Sequence, residues 1–576
     1  MMNNRPSLAG LKVFMSGILL IGVAFSVSCS RDSSDKQSPD SDMAEVGAYS
    51  VTEQEFVGAF HHAFERSGRA LQVTSSLLRE ILDQRVNFYS IVQYGVDQGW
   101  HEDHEGMYRK NLIYRQVMMD EFKKTMIKPQ VSIDEEDLEE LFLRYNTHLR
   151  ASHLYAPDRE TADSLYHLVK NGISFEELAP EIFESQSLKQ SGGDLGYFTV
   201  DDMDVGFENA AYSMPVGEVS GPVRTSRGFS IIKVTDRITT PIITEYQYAQ
   251  NKNRIRDLAV RQKTELLRRS HMDEIIDEFS FNEKLIDELW ERVDGYLGID
   301  PVADVELENF RSRVPEEYYG MVVATADGFD LTVEALLQET FYTPLEARRD
   351  IDNSRSFKDL IEGVAYRAFA MNTYENSSSY DEELIALSVE NTFQNYLNRR
   401  LYRALEAEVD IPERVMQEEY RGNPDQYMHP REVNVAELAV RDMDTAEEAY
   451  KAIKEGQPFQ EALMEYGFDE EAKQVGGEIG YTPVTNFGTI SPALSDIQPG
   501  EIVGPFEMTS DVIFLFKCLG VREAEAMTFE EAKPRIKDYL TEQYVMEKRR
   551  KVIGETKERH DARVHYDRIS DVDLKM

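Results

Sequence analysis

Few residues in this chain have the types and spacing that chemistry needs. His101 and His104 stand three apart amid acids in WHEDHEG, Trp100 to Gly106, a set that could hold a metal ion. The same stretch reads more simply as a polar connection between helices, and no metal site is assigned. A phosphate-binding loop, a Cys-X-X-Cys pair and a Gly-X-Ser-X-Gly nucleophile elbow are all missing from the 576 residues. What recurs instead is a glycine turn: GGDLGYF, Gly192 to Phe198, comes back as GGEIGYT, Gly476 to Thr482. A lone Gly-Gly marks only a backbone that needs positive φ, so the weight falls on what repeats around it.

The surroundings repeat in register. Gly192 and Gly476 lie 284 positions apart, and the same offset links Gly172 to Gly456, Phe175 to Phe459, Gly196 to Gly480 and Lys233 to Lys517. With one residue deleted, VGEVSGP from Val216 matches PGEIVGP from Pro499. This is a long-period internal duplication. In the first copy LRASHLYA reads as a strand, RETADSLYHLVKNG and SFEELAPEIF as helices, FENAAYSM after the glycine turn as a helix, and GFSIIKVTDR as a closing strand. The second copy repeats the order with REVNVAELAV and DVIFLFKCLG as strands. Before and between the copies, apolar residues recur at three- and four-residue spacing, as in EFVGAFHHAFERS and DEEDLEELFLRYNTHL, with Ser132 and Asp134 as caps for the latter. The periodicity predicts helices from about residue 49 to 150, over 244 to 295, and on through about residue 425.

Composition narrows the class. A hydrophobic fraction of 41% with 10% aromatic residues belongs to a folded chain of several domains. The formal charge of −42 repels nucleic acid, so no nucleic-acid partner is expected. The basic run Lys548 to Lys551 reads as a solvated helix face. At the N-terminus, Arg5 and Lys12 precede an apolar run from Val13 to Val27 that is too short to span a bilayer and reads as a secretory signal. The Ser/Asp tract after Cys29 suits a flexible tether. Beyond Cys29 only Cys518 remains, and it reads as a buried strand residue.

The run RASHLYA, GISFEELA, GGDLGYF, MDVGFENAAYSMPVGEVSGPV, GFSIIKV, about 90 residues long, resembles a parvulin-type peptidyl-prolyl isomerase domain. The second copy keeps GGEIGY, PGEIVGPF and Lys517. The flanking helices resemble those of SurA- and PrsA-like exported chaperones, and SVSC, Ser26 to Cys29, resembles the bacterial lipobox with Ser26 where Leu is usual. The resemblance implies an α+β multidomain chain: two parvulin-like modules, each a small antiparallel sheet with surrounding helices, set in long helical lobes. The boundaries that follow are a signal peptide 1–28, a lipidated flexible tether 29–47, a helical lobe 48–147, a first module 148–238, a helical region 239–300, a second helical lobe 301–428, a degenerate second module 429–523 and a C-terminal helical region 524–576.

What the resemblance implies about residues is specific. Leu195, Met203 and Phe207 would surround a substrate proline. His153 would be the strand histidine of the polar network beneath it. Ser230 stands where the family has its second histidine and Ser185 where it has Cys or Asp, so the network is incomplete. In the second copy Glu437 and Phe514 replace the two histidines, Asp469 fits the acid position, and Ile479 stands for Leu195. Cys29 would carry lipid, anchoring the chain in the cell envelope, facing the periplasm from the outer membrane. The expected function is that of a foldase without cofactor or metal, acting on unfolded, proline-containing exported polypeptides, with isomerase activity in the first module. The rival is a non-catalytic chaperone or assembly scaffold.

Overall fold

The computed structural model describes residues 42–67, 72–239, 245–300, 302–303, 309–349, 351–509 and 512–574. The signal-peptide and Cys29 expectations lie outside these residues. The chain divides into two compact units. Among the described residues, one comprises Ser132–Leu266 and Glu413–Ile536, and the other comprises the residues up to Val131, Leu267–Pro412 and those from Lys537 on.

The first unit contains both copies of the repeat. In the first copy the strand Thr147–Ala156 alternates its apolar side chains, because successive residues of a strand face opposite sides. Leu149 and Ala151 point to one core with Ile232 and Val234 of the strand Gly228–Thr239. Leu154 and Ala156 point to another with Ile231 and Phe175. The sheet is antiparallel throughout, in the order Asp194–Phe198, Thr147–Ala156, Gly228–Thr239, Val223–Thr225. The helices Arg159–Lys170 and Phe175–Ile182 cover one face, each started by a side-chain cap, Asp158 on Thr161 N and Ser174 on Glu177 N. The other face is covered by the helix Val205–Ser213, which begins two residues before the Phe207 start that its sequence pattern predicts.

That second face reaches beyond the repeat. Leu138, Leu141 and Phe142 of the helix Glu135–Tyr145 and Ile255, Leu258 and Ala259 of the helix Glu245–Glu278 are buried in the same core as Phe207 and Ile232. Asp134, one of the two caps expected for the former helix, closes a capping box with Asp137.

The second copy follows the first pair by pair. Its order is Glu478–Pro483, Glu432–Val440, Val512–Arg522, Ile502–Thr509. Leu154 opposite Ile231 becomes Leu438 opposite Leu515, and Ser152 opposite Lys233 becomes Ala436 opposite Lys517. The register slips at the same place in both, after Arg150 and after Asn434. A bulge retained at the same position in both copies shows that the duplication extends to backbone geometry. Cys518 is 1% exposed, as its apolar strand context requires.

The other unit is helical with two small sheets that the periodicity did not disclose. The strand Asp42–Val46 lies within the stretch expected to be tether, yet it pairs with Tyr49–Thr52 and Arg563–Val564 and buries Met43, Ala44 and Val46. The tether reading is therefore corrected from Asp42 on. Within the expected second helical lobe, Val322–Ala326 and Phe329–Thr332 form a hairpin turning at Asp327 and Gly328, and Ser280–Phe281 adds a third strand. Asp103, from WHEDHEG, caps the helix His104–Phe122 and binds Arg400 at 2.7 and 2.9 Å. Its carboxylate is thus committed to structure. Arg549, expected on a solvated face, is instead partly buried, and burial holds its pKa below the usual arginine range.

Candidate functional site

The glycine turn is built by close approach of backbone. The N–H of His153 donates to the Gly193 carbonyl at 3.0 Å, and that of Glu437 to the Gly477 carbonyl at 2.9 Å. Gly193 has φ +75° and Gly477 +73°, and a Cβ on either would collide with the carbonyl oxygen of His153 or Glu437. Only glycine meets both demands. A polar pair then fixes the residue beyond the turn. Arg150 binds Asp194 at 2.8 Å, and Asp194 Oδ1 accepts from Gly196 N at 3.0 Å. In the second copy Asn434 donates to Glu478 at 2.7 Å and accepts from Gly480 N at 3.1 Å. These contacts hold the segments that carry Leu195 and Ile479.

Beneath the first turn, His153 Nδ1 lies 3.4 Å from Ser230 Oγ. The imidazole stands edge-on to Phe207 at 6.0 Å and 5.1 Å from the Phe183 ring. Burial among these groups pushes its pKa down to about 4, so the ring is neutral at physiological pH. Phe207 is 4% exposed and also packs edge-on against Phe198 at 5.8 Å. Leu195 and Met203 are partly buried against the same core. Leu195, Met203, Phe207, His153 and Ser230 are thus brought together around one core face. Ser185 is not. It is exposed at the start of the short helix Gln186–Gln190 and makes no capping bond, while Phe183, two residues earlier, is the side chain that meets His153.

A residue that sequence reasoning passed over completes the site. Glu208 follows Phe207 on the helix Val205–Ser213 and is only 2% exposed. One carboxylate oxygen accepts from the backbone N–H of Met203 at 2.9 Å and the other from Gln262 Nε2 at 3.0 Å. Burial pushes its pKa up to about 7, with the nearby Asp201 and Asp202 charges adding to the shift. The signal was present in the pattern: an acid sits three residues before Ala211 and four before Tyr212, both buried on that helix.

The second copy fills the equivalent place with aromatic rings. Phe514, at the position of Ser230, stacks on Phe516 with centroids 5.7 Å apart and planes 8° off parallel, and Phe516 meets Phe487 edge-on at 6.1 Å. Glu437 takes the strand position of His153, opposite Phe516. Asp469 accepts from Ala472 N at 3.1 Å. Ile479 packs partly buried against this ring cluster.

What the first arrangement can do chemically is limited and definite. It offers an apolar wall, a neutral imidazole and a hydroxyl. Rotation about an X–Pro bond crosses a barrier of about 18–20 kcal/mol set by amide resonance and breaks no covalent bond. A site that seats the proline ring and desolvates the amide suits that reaction.

Comparison with known proteins agrees with this chemistry. The PPIC-type PPIASE domain matches residues 119–238 and again residues 411–534. The foldase protein PrsA of Geobacillus kaustophilus is 28% identical over 239 residues, covering 39% of this chain and 80% of that protein. The foldase protein PrsA of Oceanobacillus iheyensis is 30% identical over 225 residues, covering 38% of this chain and 73% of that protein. The crystal structure of the peptidylprolyl isomerase PrsA from Bacillus anthracis aligns at 23% identity over 38% of this chain and 95% of that one, with a TM-score of 0.21. The 30% identity across 73% of the Oceanobacillus iheyensis protein, with two matched domains at the positions of the repeat, makes the chain a member of the PPIC-type, parvulin family of peptidyl-prolyl isomerases, alongside foldases of the PrsA kind.

Proposed function

We propose that the isomerase activity of this foldase belongs to the first module, residues 148–238, and that the second, residues 429–523, binds or spaces polypeptide without turning it over. The observation that carries the reading is the contrast at one pair of strand positions: His153 beside Ser230 in the first copy, Glu437 and a stacked Phe514 in the second. Leu195, Met203 and Phe207 would form the proline pocket, and His153 with Ser230 the polar support beneath it. Ser185 is left without a catalytic part. The clients are unfolded, proline-containing polypeptides exported to the envelope. Because the first module shares its core with residues 138–142 and 255–259, its activity is best measured in the whole chain.

Met203 is the residue to change, since it is partly buried and its truncation spares the core. Met203→Ala is expected to lower the isomerase rate of the full chain about tenfold, equivalent to about 1.4 kcal/mol of transition-state binding, in a protease-coupled or NMR exchange assay. Retention of half the rate or more would mean that the second module also turns over or that the pocket lies elsewhere. A non-catalytic chaperone is the second reading, favoured by the serine at position 230. It predicts no catalysed exchange in the unmodified protein.

For placement in the cell, the proposal is removal of residues 1–28, lipidation of Cys29 and anchoring at the outer membrane facing the periplasm. Among the described residues, no helix is long and apolar enough to cross a membrane. Cys29→Ala is expected to abolish incorporation of labelled fatty acid, and unchanged incorporation would count against the anchor.

A further inference from the structure

The segment that presents Met203 is a poor structure by its own means. It runs from Thr199 to Asp204, between the strand Asp194–Phe198 and the helix Val205–Ser213. Asp201 within it has φ +76°, a conformation that costs energy for any residue with a side chain. Local capping helps: Asp202 Oδ2 accepts from Thr199 N at 2.8 Å. Asp202 N also donates to the Thr199 carbonyl at 3.3 Å, and further constraints come from outside the segment, among them Ser226 N donating to Asp204 Oδ2 at 2.9 Å. Glu208 accepts from the Met203 N–H, Gln262 on the helix Glu245–Glu278 donates its Nε2–H to the other Glu208 oxygen, and Arg261 on the same helix pairs with Asp201 at 2.8 Å. The Arg261 pair is exposed and contributes little. The Glu208 bonds are buried and accepted by a carboxylate, the kind of bond that holds a backbone in place.

We propose that Glu208 is a positioning residue for the proline pocket: bridging Met203 N and Gln262 Nε2, it fixes the Thr199–Asp204 segment so that the Met203 side chain forms one wall of the pocket beside Phe207. The inference rests on the reading that the first module is the working isomerase. A carboxylate is a costly group to bury without a cation, and here its two oxygens accept from Met203 N and Gln262 Nε2. Its placement is explained by the backbone it holds. In the second copy the counterpart of Glu208 is Ser491 or Pro492, according to where the one-residue deletion falls, and neither is an acid, so this carboxylate is missing there along with the His153 equivalent. Because a pocket wall touches the proline ring in the ground state and the twisted state alike, misplacing it weakens binding more than turnover.

The test uses the full chain and a proline-containing peptide in the same exchange assay, with KM and kcat resolved. Glu208→Leu removes the acceptor at similar size and is expected to raise KM at least fivefold with kcat within twofold. Glu208→Gln keeps an acceptor oxygen for Met203 N and is expected to restore KM to within twofold of the unmodified protein. A Leu variant with unchanged KM, or a Gln variant as impaired as Leu, overturns the proposal. Should Glu208→Leu fail to fold, Gln262→Leu takes its place, with KM expected to rise two- to threefold and an unchanged KM overturning the proposal. Met203→Ala separates the two levels of the argument. If it too leaves the rate intact, the failure lies in assigning activity to the first module. If it lowers kcat/KM while Glu208→Leu leaves KM unchanged, the failure is that of the brace alone.

Discussion

Replacing Glu339 by alanine is expected to destabilise the helical unit by about 3–5 kcal/mol, the cost of leaving buried charge without its partner. Glu339 lies in the last turn of the helix Val333–Phe341 and accepts from Arg115 Nε at 3.0 Å and Nη2 at 2.7 Å, from the helix His104–Phe122. Arg367, on the helix Ser354–Glu375, approaches the same carboxylate at 3.4 Å and donates to the Glu339 carbonyl at 2.7 Å. The Arg115 and Glu339 side chains are 8% and 11% exposed, and burial holds the Arg367 pKa below the usual range even with the carboxylate beside it. One anion therefore binds three helices through two cations. Without it, two guanidiniums face each other in a dry site, Arg115 already lying 4.0 Å over the Tyr342 ring. The chain's two tryptophans, Trp100 and Trp290, both belong to this unit, so tryptophan fluorescence in a urea titration reports on it. A loss under about 1 kcal/mol would mean that water reaches the triad and screens it, as at exposed pairs. Replacing Arg115, Glu339 and Arg367 together by Met, Leu and Leu should recover most of the loss, because the penalty comes from unpaired charge and not from missing contacts.

Much of the repeat was legible because its physical requirements are local. A backbone with positive φ pressed against a neighbouring carbonyl admits only glycine, so Gly193 and Gly477 mark themselves, and an alternating apolar strand such as RASHLYA declares both of its faces. The hairpin at 322–332 was missed although Asp327-Gly328 is a turn signal, because the helical patterns on either side dominate a window of that length. The strand at Asp42 was hidden for a different reason. Its outer partner, Arg563–Val564, lies at the other end of the chain, and three apolar residues after a Ser/Asp run look like tether until that partner is known. Ser185 shows the limit of carrying a role over by position, since a shift of two residues exchanges an exposed hydroxyl for the Phe183 ring against His153. Glu208 was overlooked because an acid beside Phe207 reads as the solvated side of a helix. Its burial depends on Gln262, 54 residues further on.

Glu208→Gln is expected to stabilise the first module at pH 8 by up to about 3 kcal/mol while leaving its stability at pH 4.5 almost unchanged. The sign follows from linkage. The folded pKa of this carboxyl is about 7, raised by burial from an unperturbed value of 4.5. Below pH 4.5 the group is protonated in both states and costs nothing extra. As pH rises to 7 the unfolded chain ionises first, so the folded state progressively loses stability relative to it. The loss is complete above the folded pKa, and 2.5 units at about 1.36 kcal/mol each set its ceiling. The groups around the carboxyl set the balance: Asp201 and Asp202 oppose its charge from the adjoining segment, Tyr212 lies on its own helix, and Arg261 and Arg144 are the nearby cations on the helices Glu245–Glu278 and Glu135–Tyr145. Both arginines are already engaged, Arg261 with Asp201 and Arg144 with Asn209 and Glu140, so neither neutralises Glu208 directly. Amide hydrogen exchange at Ile232 and Val234, central to this core, measures the opening free energy at each pH. A Gln-minus-Glu difference that grows from pH 4.5 to 8 is the expected result. A difference that is flat or shrinks with pH would mean that the carboxylate finds enough compensation to stay ionised in the folded state. If it grows as expected, the neutral amide is the more stable choice at this position above pH 7, since it accepts the same Met203 N–H without the cost of burying a charge.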